Sequence, residues 1–62
     1  MSERVLEVLQ LVAAGKSNRE ISDQLFVTVD TVKKHLTHVF NKLGVGSRTQ
    51  AVALARELGL IP

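Results

Sequence analysis

Apolar residues recur at three- and four-residue spacings along most of this chain, and small polar residues stand where each apolar stripe begins. The clearest case is the stretch 28–44, TVDTVKKHLTHVFNKLG. At 3.6 residues per turn it gathers Val29, Val32, Leu36, Val39, Phe40 and Leu43 on one side and leaves Asp30, Lys33, Lys34, Thr37 and Asn41 opposite. The pattern predicts a helix over 29–43, with Thr28 as N-cap and Gly44 as the left-handed residue that closes it.

Three further helices follow from the same reasoning. Over 3–14 the apolar set is Val5, Leu6, Val8, Leu9, Leu11, Val12 and Ala13, wide enough to pack on two neighbours, with Ser2 as cap and Gly15 as stop. Over 18–25 the S-x-x-E signature Ser17-Asn18-Arg19-Glu20 predicts a capping box, and Ile21, Leu25 and the small Ser22 face inward. Phe26-Val27-Thr28 then reads as a tight turn whose apolar side chains plug the corner. A second box, Ser47-Arg48-Thr49-Gln50, opens a helix over 48–58 with Ala51, Leu54, Ala55 and Leu58 inward. Leu60 and Ile61 are expected to fold back after Gly59, with Pro62 outside the packed region. No segment alternates as a strand does, so the expected class is all-α: four helices in one domain spanning residues 1–62.

Composition narrows what such a domain can do. The core of a 62-residue domain is too thin to enclose a deep substrate pocket. With 45% hydrophobic and 23% charged residues the chain has enough apolar material to fold. The absence of cysteine removes disulfides and thiolate metal sites, and no apolar run approaches the length of a membrane span, so a cytoplasmic setting is expected. His35 and His38 stand three apart, but no third metal ligand accompanies them. Glu3, Glu7, Glu20 and Asp23 have no paired nucleophile or phosphate loop, which argues against an enzyme. No cofactor, metal or small-molecule ligand is expected.

The net charge of +2 says little, but its distribution says more. Residues 1–30 carry more acids than bases, whereas 31–56 hold Lys33, Lys34, Lys42, Arg48 and Arg56 with no acid. A short capped helix, a turn of about three residues and a longer helix with lysines on its outer face fit a helix-turn-helix, whose second helix enters the DNA major groove. The plainer alternative for Lys33 and Lys34 is a solvated helix face.

The residues Ser17-Asn18-Arg19-Glu20-Ile21, Thr31-Val32-Lys33, His35-Leu36, Lys42-Leu43-Gly44-Val45 and Arg48-Thr49-Gln50-Ala51-Val52 resemble the LuxR-type DNA-binding domain, also called GerE-type or FixJ-type. The resemblance runs from Ser2 to Ile61 and implies a four-helix effector domain of bacterial transcription regulators, response regulators among them, that binds DNA as a dimer. Carried over by position, it implies base reading by Lys33, Lys34 and Thr37, with Asp30 at the edge of the groove. It implies phosphate contacts by Asn18, Thr31, His35, Lys42, Arg48 and Thr49, and dimerisation through Thr49, Val52, Ala53 and Arg56. Asn18 has a structural alternative as a cap, and Arg48 and Thr49 as helix openers. Ser22 departs from the alanine common there, and is still small enough for close helix approach.

The resemblance therefore implies double-stranded DNA as partner and a homodimer; RNA polymerase stands beside them as a further candidate partner. The competing class is a protein-interaction module, such as a sigma-factor-like domain that docks on the polymerase. Because the chain starts almost at its first helix, it is expected to be either a freestanding small regulator or the effector part of a longer one.

Overall fold

A computed structural model describes residues 2–62 and contains four helices: α1 (Glu3–Ala13), α2 (Asn18–Leu25), α3 (Val29–Leu43) and α4 (Arg48–Glu57). No strand occurs among the described residues. α1 and α4 each end one residue earlier than their apolar pattern predicts, because Ala14 and Leu58 serve as C-caps. Each helix opens on a hydroxyl that accepts from an amide three residues on: Ser2 from Val5, Ser17 from Glu20, Thr28 from Thr31 and Ser47 from Gln50. The box at α2 is complete, with the Glu20 carboxylate accepting from the Ser17 amide at 2.9 Å. The one predicted at α4 is not: the Gln50 side chain passes Ser47 and accepts from the Gly46 amide at 2.9 Å.

All four helices close in the same way, with an amide bonded to the carbonyl five residues back: Lys16 to Leu11, Val27 to Ser22, Val45 to Phe40 and Leu60 to Ala55. That closure requires a left-handed residue just before the donor. Gly15, Gly44 and Gly59 supply it for α1, α3 and α4, whereas α2 uses Phe26, at φ 58°. The expected corner plug is therefore wrong for Phe26, which is 95% exposed, and right only for Val27, which packs on the core. The left-handed backbone turns the phenyl ring outward while it lets α3 depart.

α3 packs on each of the other helices, and α1 likewise touches all three, while α2 and α4 do not pack on one another. Two buried clusters result. Val8 and Val12 of α1, Ile21 of α2, and Val32 and Leu36 of α3 form one. Val5 and Leu9 of α1, Val39 of α3, Ala51 and Ala55 of α4, and Ile61 form the other. Phe40 and Val52 pack against both.

Leu58, expected inward, is 59% exposed, and Ile61 is buried instead. Its α4 helix ends at Glu57, and the reversal at Gly59 swings Leu60 and Ile61 back over the core. The fold-back expected of those two residues thus brings Ile61, and not Leu58, into the core. Ser22 is buried, with its hydroxyl donating to the Arg19 carbonyl at 2.7 Å, so its polarity is satisfied inside α2 itself.

Candidate nucleic-acid interface

α2, the Phe26-Val27-Thr28 turn and α3 make the helix-turn-helix unit. The helical repeat divides the surface of α3 into three stripes about a third of a turn apart. The inward stripe holds Val32, Leu36 and Val39, all buried, flanked by half-buried Val29, Phe40 and Leu43. A second stripe holds Asp30, Lys33, Lys34 and Thr37, all exposed and all in the first two-thirds of the helix, the part that reaches base edges in this motif. The third stripe holds half-buried Thr31 and His35 with exposed His38 and Lys42.

The predicted base-reading residues are thus together on one exposed edge. Among the described residues the one ion pair is Arg19–Asp23, at 3.7 Å on the outer face of α2, so neither Lys33 nor Lys34 is engaged in a direct ion pair, although Asp30 stands one turn before both on the same edge. Their ammonium groups are held out from the fold by a helix whose other side is locked into both clusters. Groups of that kind suit guanine O6 and N7 or phosphate oxygens.

The predicted phosphate-contacting residues are more varied. Thr31 shares a hydroxyl–hydroxyl hydrogen bond of 2.9 Å with Thr28, at the cap of α3. Lys42 and Thr49 are exposed. Asn18 and Arg48, the first residues of α2 and α4, meet each other: the Arg48 guanidinium donates through Nη2 to Asn18 Oδ1 and through Nη1 to the Lys16 carbonyl at 3.4 Å. Ser17, not Asn18, caps α2. The Glu20 carboxyl in that cap is held below its ordinary value, chiefly by the hydrogen bond from the Ser17 backbone amide.

On α4, Thr49, Ala53 and Arg56 are exposed and Val52 is half-buried, so Val52 belongs partly to the core. This face lines an open groove of about 420 Å³ whose other wall is Val12, Ala13, Gly15, Lys16 and Ser17. Arg56 is tied down at one atom, its Nε donating to the Pro62 carbonyl at 3.2 Å. Nothing in the local pattern announced the Arg48–Asn18 link, and the exposed Phe26 had one signal: a turn without glycine that still needed a left-handed residue.

Residues 1–55 match the family of bacterial regulatory proteins of the luxR type. The chain belongs to that family. Its LuxR-type fold is a DNA-binding domain of transcription regulation. Over 61 residues it is 46% identical to the transcriptional regulatory protein LiaR of Bacillus subtilis and 44% identical to the oxygen regulatory protein NreC of Staphylococcus aureus. In each case the match takes in 98% of this chain but only 29% of LiaR and 28% of NreC. Among solved structures it superposes on the transcription factor GerE with a TM-score of 0.95 at 34% identity, covering all of this chain and 92% of GerE. The response regulator ChrA of a heme-sensing two-component system gives a TM-score of 0.94 at 47% identity, over 97% of this chain and 30% of ChrA. No helix among the described residues is long and apolar enough to cross a membrane.

Proposed function

We propose that this LuxR-type domain reads double-stranded DNA by placing α3 in the major groove, with Lys33, Lys34 and Thr37 on base edges and Asp30 at the rim. The observation that carries this reading is the exposed lysine edge, free of direct ion pairs, on the second helix of the motif. Asn18, Thr31, His35, Lys42 and Thr49 lie along the flanking phosphates, and Arg48 takes part through the start of α4. Two copies pair across Thr49, Val52, Ala53 and Arg56, which sets half-sites one helical turn, about 34 Å, apart. The domain serves as the DNA-binding part of a bacterial transcription regulator, as its match to a limited share of LiaR, NreC and ChrA suggests.

The test begins with selection of duplexes from a random pool by the 62-residue chain. Lys33→Ala and Lys34→Ala are each expected to cost about 1–3 kcal/mol at one base pair and to relax preference there. Lys42→Ala is expected to weaken all sequences alike and to flatten the log–log salt dependence by about 0.9. Full affinity and unchanged preference in Lys33→Ala and Lys34→Ala would falsify the base-reading assignment.

A further inference from the structure

We propose that Arg48 acts on DNA through Asn18: it is a positioning residue that holds the Asn18 amide with its NH₂ group facing the phosphate backbone. The inference rests on the reading that the start of α2 faces DNA, and it changes the part assigned to Arg48 from a phosphate contact to the support of one.

Three observations converge on it. The two residues are 30 positions apart and open helices that do not pack on each other, so their contact is made by the arginine side chain reaching across. Both are half-buried, and the second guanidinium nitrogen is taken up by the Lys16 carbonyl in the corner between α1 and α2. The guanidinium is thus turned toward the fold. Finally, Ser17 and Glu20 already complete the cap of α2, which leaves the Asn18 side chain without a capping duty.

The chemistry of the pair fixes which way the amide points. Arginine carries donors only, so the amide must present its oxygen to Arg48 and its NH₂ away from it. Without the arginine, the amide could flip and offer a phosphate its oxygen, an acceptor facing acceptors. With it, the Asn18 NH₂ is pre-oriented as a donor, and the charge-assisted bond to its oxygen polarises that donor further. Asn18 is then the residue that touches phosphate, and Arg48 supplies orientation.

A double-mutant cycle on a fluorescently labelled duplex, selected by this chain from a random pool, tests the proposal at a temperature where circular dichroism shows every variant folded. Asn18→Ala and Arg48→Ala are each expected to weaken binding about tenfold, a hydrogen bond to a charged group being at stake. The double variant is expected to be no weaker than the weaker single one. Losses that multiply, or an Arg48→Ala protein that binds like the parent, overturn the proposal. Arg48→Lys, which can still donate to the amide oxygen, is expected to recover most of the affinity. Asn18→Asp keeps an acceptor for Arg48, and hence thermal stability, but has no donor and sets a carboxylate against the phosphates, so binding falls at least tenfold. An Asn18→Asp protein with parental affinity also overturns the proposal. Lys33→Ala run in parallel distinguishes the two levels: if it binds as the parent does, the major-groove reading itself is at fault, whereas a weakened Lys33→Ala beside a multiplicative cycle refutes only the role given to Arg48.

Discussion

Replacing Phe26 by glycine is expected to stabilise this protein, although it deletes the bulkier of the two large hydrophobic side chains exposed among the described residues. The left-handed conformation at φ 58° costs an L-residue with a β-carbon about 1–2 kcal/mol, and glycine escapes that cost. Glycine gives back about 0.5–1 kcal/mol through the greater freedom of its unfolded chain. The ring itself contributes little. With 95% of the residue exposed, the covered part of a phenylalanine surface is on the order of 10 Å², or about 0.3 kcal/mol. The balance favours Phe26→Gly by about 0.5 kcal/mol, which in a domain this small raises Tm by roughly 2–4 °C. Phe26→Ala is the necessary control, since it removes the ring and keeps the strained backbone; it is expected at or slightly below the parent. Thermal unfolding followed by circular dichroism measures all three. A glycine variant less stable than the alanine variant would refute the argument, because it would mean that α2 does not end on a left-handed residue.

Two further predictions concern the fold beneath the interface. Ile21, fully buried between α1 and α3, is expected to lose about 2–5 kcal/mol on substitution by alanine. At about 0.05–0.15 kcal/mol per residue the whole chain has only about 3–9 kcal/mol to lose, so Ile21→Ala should be largely unfolded at 37 °C or within reach of it, as urea titration would reveal. The Glu20 cap predicts a pH dependence: because its folded-state pKa is lowered, its contribution is complete above the ordinary glutamate range and disappears as the pH falls through the lowered value. Glu20→Gln should therefore be less stable than the parent near neutrality and converge with it in acid; parallel Tm-versus-pH curves would contradict this.

How much of this was legible beforehand depends on the range of the interactions concerned. Ser2, Ser17, Thr28 and Ser47 cap their helices through partners three residues away, and that proximity is written directly into the sequence. The inner stripe and the outer lysine edge of α3 follow from periodicity alone. Leu58 has helical spacing from Ala51 and Leu54 yet is exposed, because α4 ends at Glu57 and the reversal at Gly59 brings Ile61 into the core. Phe26 was misplaced for a related reason: hydrophobicity argues for burial, but the end of α2 demanded a backbone conformation that turns the ring out. Asn18 and Arg48 could each be recognised as polar helix openers, but no periodicity connects residues 30 positions apart.

The division of the core gives the interface a mechanical consequence that no single residue carries. Val32 and Leu36 anchor the first half of α3, the half with the lysine edge, in the cluster shared with Ile21, Val8 and Val12. Val39 anchors the second half in the cluster shared with Ala51 and Ala55 of α4. The lysine edge is therefore held chiefly by α2 and α1, and the α4 face is held by the far end of the same helix. Interior packing resists deformation, so a cavity at one end is felt mainly by its own neighbours. Damage near Ile21 should tilt the lysine edge, while damage near Ala55 should shift α4 relative to it. Val52 and Phe40, which touch both clusters, are where the two are coupled, and Val52 also borders the proposed pairing face. In the proposed dimer, the spacing between the two α3 helices is then set by the same side chains that close the core of each copy.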